Sequence, residues 1–582
     1  MLTVSLVGAR RPHRTHLLPL FCKRSLLMQN LAIGRIGWLR ICGIIFMTCF
    51  TVYFLHCNEF GTYSDDQSFV ALYSMKGFRW FLSSLSSMGR PLGNLAMYTT
   101  LFPLFAVGGL PLAYLGACLV LSIETLLVFC FFRQFIADLP SITLALVYLL
   151  FPPDVSKFLF VAGLYSHVSG IMFWASSIFY VRRMPVTAAL TVVASMLVWE
   201  IHLIQALTIP LICYTLGQFA LARADRWREE LLPGAKFLAV FALAGVTLLI
   251  GRFVLAPGRL PSKLPGSAVE TLERFLHAGF SGVKAVLRSH ADRFTSLVSD
   301  NRLGIYLVLC GVLTIIYLLC SQWVNHSLAS EKTSTIQDRL SRKWACVLIF
   351  FGFALMFVSY LPFALEPERF PPNPITTRMS SVHYGAPIGY VILWAGLYGV
   401  LTTWGRAGRF GFLFAFILYF TVTGGFFIRH QEQLAQNWQT QTIYWAEMEQ
   451  CLRTTNPKLI IVDDTDEEIR AGQAELLFDW TTPYVPYLVE HSLKPAAEWP
   501  LVQSVTAIKG LSKVKVVGDY AELSSMTTWG IFPTEQRIKL SDIMLVKPFK
   551  GALIRPSGSL EIGGTRILPG DRCYIRTTVS GQ

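Results

Sequence analysis

The sequence predicts a polytopic α-helical membrane protein of about eleven transmembrane helices, followed by a C-terminal α+β domain outside the membrane. Three observations predict it. Of 582 residues, 53% are hydrophobic and 15% charged, where a soluble enzyme carries roughly 25% charged residues. The mean hydropathy is +0.49. Several apolar runs reach the roughly 20 residues that cross a bilayer. The net charge of +14 then reports loop topology, because cytoplasmic loops collect Lys and Arg; it argues against nucleic-acid binding.

The N-terminus sets the orientation. Residues 1–58 hold no Asp or Glu but carry Arg10, Arg11, Arg14, Lys23, Arg24, Arg35 and Arg40. Residues 1–35 read as a basic cytoplasmic tail, and the run from about Ile36 to Cys57 as the first span. It is long for a signal peptide and lacks a small-residue cleavage site, so it reads as an anchor. Residues 92–107, closed by "GGLP", read as an interfacial or re-entrant helix on the outer side. Full or short spans follow near 110–132, 139–152, 160–181, 186–199 and from Leu203 through "LIQALTIPLICYTLGQFAL". Further spans fall near 236–256, 304–323, 344–363, 385–404 and 410–428. This register leaves Arg133, Arg182-Arg183, "SRK" at 341–343 and "GRAGR" at 405–409 on the inside.

Residues 36–428 thus read as one transmembrane domain with outer loops 58–91, 257–303 and 364–384. The loop 257–303 holds two helix-like stretches, "SAVETLERFLHAGF" and "GVKAVLRSHADRF", whose apolar spacing suits helices lying on the interface. The tail 429–582 is long enough for a domain. It opens with a polar helix, "RHQEQLAQNWQTQTIYWAEMEQCL". "KLIIVDD", "SKVKVVGDY", "DIMLVKPF", "GALIRPSGSLEI" and "CYIRTTV" then read as strands. Cys451 and Cys573 lie in this tail and would be free to pair in an oxidising compartment. There is no Walker A loop and no His/Cys cluster with metal-site spacing.

Ionisable groups beside apolar spans are costly and mark functional candidates. Asp65 and Asp66, in "YSDDQ", follow the first span by a few residues. Two readings fit them. Neighbouring carboxylates do not both ionise cheaply without a nearby cation, so one can serve as a base or both can ligate a divalent metal. Alternatively, Ser64 or Asp65 caps a helix that begins at Asp66, and the acids are solvated. Glu200 and His202, in "SMLVWEIHLIQAL", and Arg378 and His383, in "PNPITTRMSSVHYGAPIGY", are the next candidates. Arg378 can hold a phosphate bidentately or snorkel to headgroups. Glu124 lies near the middle of the second span, with no partner legible in the sequence.

This arrangement resembles the GT-C glycosyltransferases over roughly residues 36–428. The likeness rests on a cytoplasmic N-terminus, one span, and a large first outer loop carrying the acidic pair of "YSDDQSF". It extends to the juxtamembrane "GRPLGNLAMYTTLFPLF", the short span ending "LVYLLFPP" and the acid-bearing "VWEIHL". The tail resembles the variable outer domain of many members. The chain lacks an oligosaccharyltransferase-like Trp-Trp-Asp. The resemblance implies a multi-pass enzyme of a bacterial inner (plasma) membrane that moves a sugar from a polyprenyl-phosphate donor to an acceptor hydroxyl, with inversion. The acceptor is not legible in the sequence: a cell-surface or lipid-linked glycan, lipopolysaccharide, a wall polymer and protein are all open. It gives Asp66, with Asp65, base or metal duty (Mg or Mn), and Arg90 and Arg378 the donor phosphate. Glu200 completes the catalytic set, with His202 and His383 supporting. An O-antigen-type polymerase or ligase is the alternative, but its key loop falls late in the chain. A transporter is the third reading, but matched Gly/Pro-broken halves are not seen.

Overall fold

The computed structural model describes residues 35–63, 66, 69–71, 91–221, 227–255, 267–328, 341–365, 378–452, 457–463, 501–504, 513–524, 535–548, 554–556, 560–562 and 565–567. Asp65, Arg90 and Cys573 lie outside them, as do the side chains of Glu200, Arg378 and Cys451. The base or metal role of Asp65, the phosphate roles of Arg90 and Arg378, the acid role of Glu200 and the Cys451–Cys573 pairing therefore fall outside what is described.

Helix α1, Arg35–Cys49, runs into a π-helical turn, Phe50–Phe54, immediately before the acidic loop. Such turns recur at functional sites. Helix α2, Pro91–Phe132, breaks at Gly108–Gly109, where Gly109 takes φ +65°. Only glycine enters that left-handed region freely, and Pro111 suits the start of the second piece. The break falls between the expected outer helix and the expected second span. Next come α3 (Asp138–Leu149), α4 (Phe160–Val181) and α5 (Pro185–Val198), close to their expected bounds. The expected sixth span is divided, after a 3₁₀ turn at Glu200–His202, into α6 (Leu203–Leu207) and α7 (Ile209–Leu221). Thr208 stands between them, and Pro210 sits in the first turn of α7, where its missing N–H costs nothing.

Helix α8, Trp227–Leu255, begins before the apolar run, in "WREE". The two helices expected in 257–303 are one, α9, Ala268–Val298. The Ser267 side chain accepts from the Glu270 N–H, the first half of a capping box. The buried face of α9 is mainly small residues, Ala278, Gly279, Gly282, Ala285 and Ser289; Leu272, Leu276, Phe280, Leu287 and Phe294 are exposed on it. Helix α10, Leu303–Leu328, follows at a bend of 116°. Then come α11 (Arg342–Val358), 3₁₀ turns at Leu361–Leu365 and Arg378–His383, and α12 (Ala386–Thr402).

Helix α13, Gly405–Leu452, runs across position 428/429, so the expected last span and the expected polar helix of the tail are one continuous helix. Its 48 residues, about 72 Å, carry the last apolar run into the polar stretch without interruption. No Gly or Pro stands between Phe426 and Leu452 to end it. The polar half is held by the π turn and the first loop: Gln431 Nε2 donates to the Thr51 carbonyl at 2.9 Å, and the Tyr63 hydroxyl to the Leu434 carbonyl at 2.7 Å.

Among the described residues, five helices are long and apolar enough to cross a membrane, or six if bent α9–α10 counts as one crossing. The expected count of about eleven also includes the shorter apolar helices α3, α5, α7 and α12, of 10–17 residues, below the roughly 20 of a full crossing. One end of the bundle carries the buried pair Arg133–Asp138 (2.6 Å), Arg133 over the Trp38 ring, and the pair Arg183–Glu230 (2.5 Å). These are residues expected on the inside.

The described strands of the tail form a mixed sheet in the order β2-β1-β6-β7. Strand β1 (Leu459–Val462) pairs in parallel with β2 (Leu501–Ser504) and β6 (Ile543–Pro548); β7 (Ile554–Pro556) joins β6 antiparallel. All four β1 residues are buried, as a continuous apolar run in a parallel sheet should be. A meander of β3 (Lys513–Val517), β4 (Tyr520–Ser524) and β5 (Glu535–Lys539) turns first at Gly518-Asp519, with Gly518 at φ +59°. Strands β8 (Leu560–Ile562) and β9 (Thr565–Ile567) make a hairpin. "CYIRTTV", expected as a strand, lies outside the described residues.

Candidate functional site

Glu124 on α2 has its partners within the bundle. It is fully buried. Its Oε1 accepts from the Tyr148 hydroxyl of α3 at 2.6 Å and from the Tyr384 hydroxyl at 2.5 Å; its Oε2 lies 2.6 Å from His167 Nδ1 of α4. An ionised carboxylate accepts only, and the His167 tautomer that matches it carries the proton on Nδ1. Gly170 leaves room for this carboxylate: a Cβ there would meet Glu124 Oε1 at 1.8 Å, and the acid would have to shift. One acid thus fastens α3, α4 and the segment leading into α12 onto α2.

Around this hub three loops converge. In the α3–α4 loop Asp154 is fully buried; its Oδ1 accepts from the Ser156 N–H at 3.0 Å and the Ser156 hydroxyl at 2.5 Å. Asp154 Oδ2 and His167 Nε2 have no hydrogen-bond partner among the described residues. Lys157, also buried, donates to the Leu149 carbonyl at 2.6 Å, capping the last turn of α3. Burial pushes the Asp154 carboxyl above its ordinary value, opposed by the Lys157 charge. Burial pushes the Lys157 ammonium down, opposed by Asp154 and Glu124. The Val155 N–H donates to the Ser380 hydroxyl at 3.1 Å, which ties this loop to the Arg378–His383 turn. His383 Nδ1 bonds the Tyr360 hydroxyl at 2.8 Å. His202, from the α5–α6 turn, lies parallel to the Tyr384 ring with centroids 5.5 Å apart, and neither of its nitrogens has a hydrogen-bond partner among the described residues.

Asp66 sits in a helical turn, fully buried, its N–H donating to the Tyr63 carbonyl at 3.0 Å. The fully solvated reading of this acid therefore does not hold for Asp66. It lies within electrostatic reach of Tyr114 on α2, whose hydroxyl donates to the Gly61 carbonyl at 2.6 Å. Phe69, three residues on, meets the Tyr165 ring of α4, 6.3 Å between centroids. Asp66 and the Glu124 hub thus share α2 and α4, with Tyr114 and Glu124 ten residues, about 15 Å, apart along α2.

Of the expected site residues, the structure brings His202 and His383 to one place, at the Tyr384 end of the hub. Sequence reasoning missed Asp154, Lys157, His167, Tyr148 and Tyr384. The signal was present in "FPPDVSKF": an acid and a lysine three apart, directly after a short apolar run. No group of three or more His, Cys, Asp or Glu with metal-holding geometry occurs among the described residues. Of the two expected metal ligands only Asp66 is described.

A second polar contact ties this end of the bundle together. Asp300, in the α9–α10 turn, accepts from the Arg302 N–H at 2.8 Å and from the Arg429 guanidinium of α13. Partial burial acts upward on this carboxyl, but the Arg302 N–H and Arg429 outweigh it and hold it below the ordinary 3.8. A carboxyl so held stabilises the fold above its ordinary value, and the contribution is lost as pH falls through the lowered one. The parent is therefore expected to lose melting temperature below about pH 4, and Asp300→Asn to lose less. Melting curves of both in detergent check this; equal slopes with pH would contradict it.

No family model matches the chain, and no curated protein matches it. Among solved structures it is similar to ArnT from Cupriavidus metallidurans bound to undecaprenyl phosphate, at 14% identity and a TM-score of 0.34, covering 82% of this chain and 91% of that one. At that level the likeness assigns neither residues nor chemistry.

Proposed function

We propose that the protein is a membrane glycosyltransferase of the GT-C type. It moves a sugar from a polyprenyl-phosphate donor to an acceptor hydroxyl at the outer face of a bacterial inner membrane. The observation that carries this reading is Asp66: a buried carboxylate in a helical turn, one short loop beyond the first apolar helix and its π turn. That is where a base must stand to meet a hydroxyl next to a phosphate at the membrane surface.

In the proposed step the acceptor oxygen attacks the anomeric carbon and its proton passes to Asp66. The bond from that carbon to the phosphate oxygen breaks, the anomeric centre inverts, and polyprenyl phosphate leaves. General base help of this kind contributes roughly 10²–10⁴-fold. Charge grows on the leaving phosphate and calls for fixed cations; Arg90 and Arg378 are proposed for this. Asp154 is a second buried carboxyl, raised by burial, whose Oδ2 is unbonded among the described residues. It suits transient proton holding in the same region. Glu124 and His167 position the loops and touch no reacting atom in this account.

The reading is tested by mass spectrometry of surface glycans and lipopolysaccharide from a deletion strain. Loss of one defined sugar increment, restored by the parent gene and not by the Asp66→Asn gene, is expected. An unchanged glycan profile would count against it.

A further inference from the structure

Arg293 is a buried cation that the proposed reaction does not use. It lies on the buried face of α9, with 5% of its surface exposed. Its guanidinium carbon sits 4.2 Å from the centre of the Phe426 ring on α13. Nε and Nη2 have no hydrogen-bond partner among the described residues. His430, one turn beyond Phe426, stacks on that ring at 5.8 Å, meets the Phe158 ring at 4.9 Å, and lies within electrostatic reach of Arg293. The neighbouring arginines are different. Arg429 holds Asp300 and Ser296, and Arg302 holds Glu432. The adjacent acid, Asp292, lies 3.4 Å from Arg288 and is half-exposed.

Arginine keeps its charge when buried. A buried charge without an acceptor is costly, and an aromatic ring on one face offsets that only in part. The ring also fixes the geometry. With its guanidinium carbon held over the Phe426 ring, Arg293 keeps Nε and Nη2 on one edge of the guanidinium, the edge that grips an oxyanion with two parallel hydrogen bonds.

We propose that Arg293 anchors a binding site for the phosphate of a phosphate-headed lipid, between α9 and α13. The lipid part of the assignment comes from α9 itself. It bends 116° from α10 and exposes Leu272, Leu276, Phe280, Leu287 and Phe294, an apolar stripe along which a hydrocarbon chain can lie. The proposed reaction gives the donor phosphate to Arg90 and Arg378 and no role to Arg293. That the lipid is a polyprenyl carrier rests on the proposed function; the anion site rests on Arg293, Phe426 and α9.

The test uses the full-length protein in detergent, as parent, Arg293→Gln and Arg293→Lys. Binding is measured by native mass spectrometry with a long-chain polyprenyl phosphate, the matching polyprenol, phosphatidylglycerol and inorganic phosphate. Arg293→Gln is expected to weaken polyprenyl phosphate roughly tenfold or more, Arg293→Lys less, and polyprenol not at all. The lipid-free Arg293→Gln protein is expected to melt no lower than the parent, because it loses a buried charge whose Nε and Nη2 have no acceptor among the described residues and which only the half-exposed Asp292 opposes. If phosphatidylglycerol binds through Arg293 while polyprenyl phosphate binds no form, the lipid-phosphate site stands and the donor reading falls. Arg293 dependence of inorganic phosphate alone overturns the lipid assignment. Equal affinities of parent and Arg293→Gln for every phosphate probe overturn the site. So does a lower melting temperature of lipid-free Arg293→Gln, which would mark an acceptor within the chain.

Discussion

Asp66→Asn is expected to slow sugar transfer by roughly 10²–10⁴-fold while leaving membrane abundance and melting temperature near those of the parent. Asparagine keeps the size of the side chain and its place in the buried turn after Tyr63. It removes the basic oxygen that would take the acceptor proton. The loss should therefore fall on kcat, with donor KM little changed, since the interaction removed belongs to the transition state. Asp65→Asn separates the two acids: a smaller loss places the proton on Asp66, and an equal loss makes the pair act together. The measurement is initial-rate kinetics in proteoliposomes with donor and acceptor varied separately. Near-normal turnover by both single variants and by the double variant would remove the base role.

Glu124→Leu is expected to destabilise the bundle by roughly 3–5 kcal/mol. The reason is the accounting at the hub. Two phenols and one imidazole, from three different segments, lose their shared acceptor in a place from which water is excluded. Glu124→Gln should cost less, because one oxygen remains for the two tyrosines and the amide can donate to the other His167 tautomer. Glu124→Leu combined with His167→Leu should recover part of the loss, since replacing a whole buried pair by apolar groups is often neutral. Gly170→Ala should act in the same direction as Glu124→Leu, because its Cβ would displace the carboxylate. Thermal unfolding in detergent measures all four. A Glu124→Leu protein as stable as the parent would show that the hub contributes nothing to the fold.

The helical framework was legible in the sequence because its signal is local. Apolar runs and the basic residues that bound them place α3, α4, α5 and α12 to within a few residues, and "GGLP" marks the break in α2. What was not legible depends on distance in the chain. The continuity of α13 was not legible because polarity changes at Arg429 while the helix runs on to Leu452: hydropathy reports surroundings, not where a helix ends. The two helices expected in 257–303 are one because Gly282, which suggested a break between them, falls inside α9 without breaking it.

The site was legible only as candidates. Glu124 stood out as a costly acid, but its partners lie 24, 43 and 260 residues away in the chain. No spacing rule reaches that far. Asp154 and Lys157 were passed over because a loop acid reads as solvated until its burial is known. His202 and His383 were named separately, and what joins them is Tyr384, a residue with no sequence signal of its own.

The most direct measurement of the central claim is sugar transfer by the purified protein in proteoliposomes that contain a defined set of polyprenyl-phosphate sugars and a membrane extract as acceptor. The account predicts that one donor is consumed, that polyprenyl phosphate and a product of inverted anomeric configuration appear together, and that Asp66→Asn produces neither. Intact donor throughout, with a sugar nucleotide or an undecorated glycan used in its place, would contradict it.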